Sequence, residues 1–241
     1  MKRVAAALLL VAALAAGASA APLAERVVLP NGMVLLVSER RALPIVAVSV
    51  YVRAGSVLDP PAAGGLANLT ASLLTRGTAH RSAAEIDRAI ESVGGSLASG
   101  GGRDGAALSL GVLSKDLPLG FDLLAEAVTQ PSFPEDELRR KVGEIQAALR
   151  NAESEPETVA GRALAALIYP GHPYARPALG TPTSVATLDR AKVSAFHRTY
   201  YRPDATTVVV VGDVSAPEVR ARLLARLGGL GAPAPPPPPP P

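Results

Sequence analysis

The chain of 241 residues contains no cysteine and no tryptophan, and it has only three histidines. Without cysteine, disulfides, cysteine nucleophiles and thiolate metal sites are excluded. Aromatic residues make up 3% of the chain, and the formal net charge is +3, of which Lys2 and Arg3 account for two. A nearly neutral chain without a lysine cluster provides no electrostatic basis for binding nucleic acid. Its hydrophobic content of 48% is nevertheless sufficient for one sizeable folded core.

The first 20 residues have the pattern of a secretory signal. Lys2 and Arg3 supply a positive start, Val4 to Ala16 are apolar, and Ala18-Ser19-Ala20 form a small-residue cleavage site. The apolar run is roughly 13 residues, shorter than the ~20 that cross a bilayer, so a cleaved signal is favoured over an uncleaved anchor. We therefore expect residues 1–20 to be removed and the mature chain to be exported. The Ala-, Arg- and Pro-rich composition favours a bacterial source, and hence the periplasm.

Residues 231–241 are dominated by proline and include seven consecutive prolines, Pro235 to Pro241. Such a run can join neither a helix interior nor a strand ladder, and it extends as a stiff polyproline II rod. We interpret residues 231–241 as a proline-rich linker or tail. Recognition by a proline-binding domain is the weaker alternative, and the sequence leaves open whether a second domain follows.

Residues 21–230 have the pattern of one folded domain. Asn31-Gly32 between two apolar runs predicts a hairpin with a type I′ turn, and Gly100-Gly101-Gly102 is interpreted as a flexible turn. Further strands are predicted at 45–52, 96–99, 106–113 and 207–211. Helices are predicted at 62–76, 82–93, 117–129, 132–149, 157–168, 191–200 and 217–227. Without strict βαβ alternation, this order predicts an α+β fold, with two layers in which helices cover a mostly antiparallel sheet.

The three histidines, His80, His172 and His197, do not form a local metal site. A zinc ion needs three or four converging ligands, and none of these residues has a second histidine at ligand spacing. We predict that His80 lies on a surface loop, that His172 is structural or solvated, and that His197 packs inside the domain. The chain also lacks the Gly-x-Ser-x-Gly elbow of serine hydrolases and a phosphate-binding loop.

The segment from Gly65 to Thr78 resembles the active-site helix of the insulinase/pitrilysin zinc peptidases, which include the mitochondrial processing peptidase. In that family the helix carries Gly-x-Ala-His-x-x-Glu-His and is followed by Gly-Thr. The resemblance extends over nearly the whole mature chain and implies the N-terminal domain of such a peptidase, one metalloendopeptidase-like half. The other matching segments are Leu29-Pro30-Asn31-Gly32, Arg139 to Ile145, Gly171-His172-Pro173-Tyr174, Leu179-Gly180-Thr181, Tyr200-Tyr201-Arg202-Pro203 and Val211-Gly212-Asp213.

Carried over by position, the family's catalytic residues are missing. The first zinc histidine falls on Asn68, the general-base glutamate on Ala71 and the second zinc histidine on Ser72. Asparagine and serine are poor zinc ligands, and alanine accepts no proton from a metal-bound water. The third ligand falls on Glu144, with a supporting acid at Glu137, and both carboxylates are retained. We interpret them as a solvated helix face, since two carboxylates alone hold a hard cation only weakly. We therefore expect no catalytic residues, no metal ligands and no cofactor.

Two functional hypotheses follow from the resemblance. In the first, the chain is a non-catalytic homologue that binds extended peptides or completes the chamber of an active zinc peptidase subunit of the same family, as in the family's heterodimeric enzymes. In the alternative, it is a zinc endopeptidase whose degenerate site is completed by His80 or by a partner chain. A remnant without any partner is a third possibility. The first hypothesis is favoured because the turn from 68 to 72 provides neither an imidazole nor a general base.

Overall fold

The computed structural model of the protein describes residues 23–228 and 230. The signal predicted at residues 1–20 and the tail at 231–241 lie outside these residues. The strands of the described part are β1 (Glu25–Val28), β2 (Val34–Glu39), β3 (Ile45–Val52), β4 (Ser96–Gly101), β5 (Ala106–Leu113) and β6 (Thr206–Gly212). Its α-helices are α1 (Leu66–Leu73), α2 (Ala83–Glu91), α3 (Leu117–Thr129), α4 (Glu135–Glu153), α5 (Pro156–Ile168), α6 (Pro182–Ala186), α7 (Arg190–Tyr200) and α8 (Ala216–Leu227).

The strands form a single mixed sheet in the order β1-β2-β6-β3-β5-β4. Only β2 and β6 run parallel among the neighbouring pairs of the described sheet, and the other pairs are antiparallel. Because β6 lies between β2 and β3, residues more than 150 positions apart pair directly, for example Val50 with Val208. The prediction of a mostly antiparallel sheet in an α+β fold is confirmed.

The two faces of the sheet have different surroundings. One face packs against α1, α2, α3 and α8 and is fully buried at Val48, Val50, Leu108, Val208 and Val210. The opposite face consists largely of small or β-branched residues that no described helix covers, so they are exposed or half-buried. On the four neighbouring strands β4, β5, β3 and β6, the exposed or half-buried residues of this face include Ala98, Ser109, Ala47, Ser49 and Val211. The alternation of buried and exposed positions follows from the two-residue period of a strand.

The first hairpin is confirmed, but its predicted type I′ turn is wrong. Gly32 has φ of +88°, whereas Phe133 is the only non-glycine residue with a positive φ in the described part of the chain. A type I′ turn needs positive φ at both central residues, so Asn31 does not meet the requirement. Instead, the Gly32 N–H donates to Leu29 O at 2.9 Å and closes a four-residue turn. Pro30 favours this turn because its ring holds φ near −65° at the second position.

Two other local predictions are also corrected. The helix expected at 62–76 begins at Leu66, because Gly65 has φ of +93° and interrupts it after a short 3-10 helix at Pro61–Ala63. Gly100 and Gly101 are not a flexible turn, since both are residues of β4 and pair with Ala107 and Ala106. In contrast, the helix predicted at 82–93 is confirmed as α2, and Ser82 and Glu85 are bonded reciprocally in a capping box at its start. No helix within 23–228 is both long and apolar enough to cross a membrane.

Candidate functional site

Helix α1 carries the positions of the family's metal-binding motif, and a buried carboxylate fixes its N-terminus. The two oxygens of Asp59 accept hydrogen bonds from the N–H groups of Gly65 and Ala67, each at 2.8 Å. These are two of the unpaired donors that open any helix. Burial raises the pKa of Asp59 to about 6, although the two N–H bonds act in the opposite direction. The Asp59 carboxylate therefore fixes the start of α1.

The backbone around α1 leaves no room for side chains at two glycines. A Cβ on Gly65 would lie 2.6 Å from Leu179 O, and a Cβ on Gly101 of β4 would lie 2.9 Å from Asn68 Cα. Real Cβ atoms essentially never come this close to backbone atoms. Helix α1 consequently sits directly on β4, at the edge of the sheet.

The three degenerate positions on α1 are engaged in internal contacts. Asn68 Nδ2 donates to Gly101 O at 3.0 Å, and Ser72 Oγ donates to Asn68 O at 2.8 Å. Ala71 is completely buried and would contact a Cβ on Gly101 at 3.3 Å. Asn68 therefore holds the helix to its strand, Ser72 bonds within the helix, and position 71 contributes only packing.

The retained carboxylates lie on α4, which packs against α1. Arg140 lies between Glu137 and Glu144 in the helix and forms ion pairs with both. Lys141 Nζ lies 2.6 Å from Glu144 Oε2. The hydrogen bond from Lys141, together with the charges of Lys141 and Arg140, lowers the pKa of Glu144. Both acids thus have cationic partners on their own helix, as expected for carboxylates three and four residues from a base.

These residues do not fit a catalytic zinc ion. A zinc peptidase site requires three protein ligands and an open position for water. Asn68 and Ser72 offer only neutral oxygen atoms, which are poor zinc ligands, Ala71 has no proton acceptor, and Glu144 is paired with Arg140. Within the described residues, no group of three or more histidine, cysteine or acidic side chains is placed to hold a metal ion. No hydrolytic step can therefore be derived for this turn.

Each of the three histidines has contacts of its own. His80 is exposed, and its Nε2 lies 3.0 Å from Gln130 Oε1. His197 is buried, bonded through Nε2 to Val128 O at 2.9 Å, and stacked on Tyr201 with ring centroids 4.6 Å apart. Burial lowers the pKa of His197. His172 Nδ1 accepts the Tyr174 N–H at 3.1 Å and belongs to a ring cluster. The surface, structural and packing roles predicted for the three residues are confirmed.

Strand β4 is one edge of the described sheet and runs beside α1. Gly102 N–H donates to Gly105 O at 2.7 Å. Gly102 and Gly105 are therefore a hydrogen-bonded pair, directly after the last pair of β4 and β5, Gly101 with Ala106. Because bonded and non-bonded pairs alternate in an antiparallel ladder, the main-chain groups of Leu97, Ser99 and Gly101 point away from β5. Asn68 binds the outward carbonyl of Gly101. Strand β4 contains no charged residue and no proline, whereas the opposite edge, β1, carries Glu25 and Arg26.

Sequence reasoning did not identify Asp59 or Gly101 as residues of this site. Asp59 lies six residues before Gly65, outside the spacing of a local helix cap, and a 3-10 helix intervenes. Gly101 belongs to a glycine triplet that also matches a turn. The contacts of both residues depend on how distant segments pack, so no local signal could have revealed them.

Comparison with known proteins identifies the family of this fold. The family model described as Insulinase (Peptidase family M16) matches residues 34–182, and the model described as Peptidase M16 inactive domain matches residues 187–241. The chain belongs to the insulinase family of peptidases, M16. The resemblance found in the sequence is thereby confirmed.

Relatives and solved structures agree with this assignment. The chain is 31% identical over 205 residues to an uncharacterized zinc protease of Mycobacterium leprae, covering 84% of this chain and 46% of the relative. It is 25% identical to human cytochrome b-c1 complex subunit 1, covering 84% and 42%. A crystal structure of a peptidase M16 inactive domain from Pseudomonas fluorescens superposes with a TM-score of 0.83 at 28% identity, covering 87% of this chain and 51% of that one. The first half of the Escherichia coli periplasmic protease PqqL, at 19% identity and a TM-score of 0.78, shares the fold, covering 88% and 47%.

The chain spans about half the length of the curated relatives it matches. The residues matched by the second family model include β6, which pairs with both β2 and β3. The two matched regions therefore contribute to one sheet. The domain boundaries of 21–230 stay a prediction.

Proposed function

We propose that this chain is an exported, non-catalytic M16 homologue that binds extended peptides along β4 and uses no zinc. One observation carries the proposal: the side chains at the metal-binding positions are committed to internal contacts, whereas the strand beside them is an edge of the described sheet, with the main-chain groups of Leu97 and Ser99 directed away from β5. Peptide capture by strand addition needs only main-chain hydrogen bonds and no metal. The export part of the proposal rests on the signal pattern of residues 1–20.

The two edges of the described sheet support β4 as the binding edge. Native proteins protect exposed edges with charges, prolines or bulges. Strand β1 has two charged residues, and β4 has serine, alanine, leucine and glycine only. An edge without these protective features, next to the helix that carries catalysis in active family members, is suited to an extended peptide.

We further propose that the open face of the sheet pairs with a second unit of the same fold, the active zinc peptidase subunit of a heterodimer. The face is uncovered within the described residues, and its central positions Ser49, Ala98 and Ser109 are small enough for close approach. The relatives are about twice as long as this chain, and one solved neighbour is a half-length piece of a longer protein. Both facts are consistent with a fold that works in pairs.

The peptide-binding part is tested with purified protein and a fluorescent unstructured peptide. We expect saturable binding that a chelator leaves unchanged, no turnover of the peptide, and no stoichiometric zinc by mass spectrometry. Chelator-sensitive hydrolysis with one zinc per chain would overturn the proposal and support the endopeptidase alternative.

The edge itself is tested at Ser99, whose N–H points away from β5. Replacing it by proline, Ser99→Pro, removes that donor without removing a bond to β5, which an edge strand tolerates. Since Ser99 Oγ also lies 3.3 Å from Thr75 Oγ1, Ser99→Ala serves as the control for the side chain. Peptide binding should be lost in the proline variant and kept in the alanine variant. Equal binding by both would exclude β4 as the binding edge.

Pairing through the open face is tested with Ser109→Lys, which places a charge at the centre of that face. Tagged wild-type protein should recover a homologue with an intact His-x-x-Glu-His helix from the producing cells, and the lysine variant should not. Recovery of the same homologue by both proteins would contradict pairing through this face.

A further inference from the structure

A cluster of rings lies where β4 ends, outside the contacts of α1. Tyr169, His172 and Tyr174 belong to the segment that follows α5, and their ring centroids are 4.8 to 6.0 Å apart. None of the three is fully buried. Tyr174 packs edge-on against both other rings, and this packing holds the rings in place while leaving part of their surface open to a ligand. We call these three residues the aromatic cluster.

The aromatic cluster is attached to the tip of the β4–β5 hairpin. Arg103, two residues after β4, donates to Tyr174 O and places its guanidinium 5.7 Å from the Tyr174 ring centroid. The Tyr174 hydroxyl donates to Asp104. The hydrogen bond from this hydroxyl to Asp104 raises the pKa of Tyr174. The cluster is thus tied to the hairpin at the end of the edge on which the peptide is proposed to bind.

The cluster also presents a hydrogen-bond donor. Because His172 Nδ1 accepts the Tyr174 N–H, the neutral ring carries its proton on Nε2. A donor beside partly open rings is suited to a peptide carbonyl next to an apolar side chain.

The apolar surface continues from the cluster into α5. Within the described residues this helix has no buried residue, and its last two positions, Leu167 and Ile168, are 79% and 57% exposed. Tyr169 follows them directly and is 42% exposed. Several large apolar side chains exposed next to one another in the chain are typical of an interaction site.

We propose that the aromatic cluster is a specificity subsite for an aromatic or large aliphatic side chain of a peptide bound along β4. The inference rests on the proposed function, because it needs a peptide paired with that edge. A peptide that pairs with Leu97 and Ser99 and continues past Gly101 reaches the hairpin tip to which the cluster is attached. Main-chain pairing then supplies binding to any extended sequence, and the cluster selects among sequences.

The test compares two fluorescent unstructured peptides that differ only in having phenylalanine or serine at one position flanking the paired segment. The position is found by moving the phenylalanine along the peptide one residue at a time. At one or two adjacent positions, wild-type protein should bind the phenylalanine peptide at least roughly fivefold more tightly than the serine peptide. Tyr169→Ala should abolish this preference and leave the affinity for the serine peptide unchanged. Tyr169 is the most exposed ring of the cluster and makes no hydrogen bond from its side chain among the described contacts, so the variant is expected to fold.

Leu43→Ala is the matched control. Leu43 is 63% exposed and precedes β3, at the opposite end of the sheet from the hairpin tip. It should keep the wild-type preference. Equal affinity for both peptides at every position, or an unchanged preference in Tyr169→Ala, would overturn the subsite while leaving peptide binding along β4 intact. Failure of both peptides to bind would overturn the proposed function together with the subsite.

Discussion

Helices α1 and α4 carry the positions that bind metal in active members of the family, and they have diverged in different ways. On α1 the side chains at 68, 71 and 72 have become part of the framework: Asn68 bonds to Gly101 of β4, Ser72 bonds to Asn68 O within the helix, and Ala71 is completely buried. On α4 the acids are retained, but they are paired with bases of the same helix near the surface. Contacts that α1 makes are therefore expected to matter for stability, whereas those of α4 can be replaced at little cost.

The largest effect is expected when the two histidines of the family's motif are placed back on α1. Asn68→His combined with Ser72→His places two histidines four residues apart on one face of α1, as in the family's motif. If α4 is placed as in active members, Glu144 supplies a third ligand, since surface ion pairs with Arg140 and Lys141 are worth only about 0–1 kcal/mol. We expect the double variant to bind zinc with a Kd on the order of micromolar. Its binding free energy would then be about 4 kcal/mol more favourable than that of a site with a millimolar Kd. Isothermal titration calorimetry measures this.

Two further variants show which side chains bind the zinc. Ser72→His alone should bind zinc much more weakly than the pair. Adding Glu144→Gln to the pair should weaken binding at least roughly tenfold, or about 1.4 kcal/mol. An unchanged affinity in the triple variant would mean that α4 no longer positions Glu144 as a ligand. The relative placement of α1 and α4, as well as their residues, would then differ from active members of the family.

The second prediction concerns the pH dependence of the α1 cap. Burial raises the pKa of Asp59 to about 6, against an ordinary value of 3.8. The stability from this group is therefore fully present below about pH 4 and is lost as the pH rises through about 6. Compared with Asp59→Asn, the wild type should lose up to about 3 kcal/mol of unfolding free energy between these values. Urea titrations at several pH values measure the difference.

Asp189 provides a control of opposite sign. It caps α7 by accepting the Lys192 N–H at 2.8 Å, and this bond lowers its pKa. The stability from this exposed cap is present above pH 3.8 and decreases as the pH falls. Its contribution to the free energy of unfolding therefore rises with pH, opposite to that of Asp59, and Asp189→Asn should remove it. A slope of the same sign for both variants would contradict the assignment for Asp59.

The third prediction tests the contact between α1 and β4. Gly101→Ala forces a Cβ to within 2.9 Å of Asn68 Cα, so strand and helix must move apart. We expect a loss of about 2 kcal/mol in the free energy of unfolding, as for other overpacked contacts. Gly100→Ala, one residue earlier in the same strand, meets no atom within 4 Å and should be neutral or slightly stabilising. Equal effects of the two substitutions in urea titrations would show that α1 does not rest on β4.

The smallest effect is expected on α4. Arg140→Ala removes the ion pairs with Glu137 and Glu144 and should cost no more than about 0.5 kcal/mol, because the three side chains are partly exposed. Leu138→Ala, a buried position of the same helix, should cost about 2–5 kcal/mol. A loss above about 1.5 kcal/mol for Arg140→Ala would show that the acids of α4 have a structural role comparable to that of α1.

The sequence by itself determined the elements whose signals are local. The hairpin around Gly32, the capping box at Ser82 and the buried stripe of α4 depend on residues a few positions apart, and all three are present. The sequence also predicts the loss of the metal ligands, because Asn68, Ala71 and Ser72 occupy a motif of fixed spacing.

Only the tertiary structure decided how α1 is held and which strand is left open. Asp59 reaches the start of α1 across a 3-10 helix, and Asn68 reaches Gly101 across 33 residues of chain. Strand β6 enters the sheet between β2 and β3, which leaves β4 at the edge. Such placements depend on burial and close packing between segments that are distant in the chain. A local sequence pattern does not show which distant segments will pack together, so it could not predict these contacts.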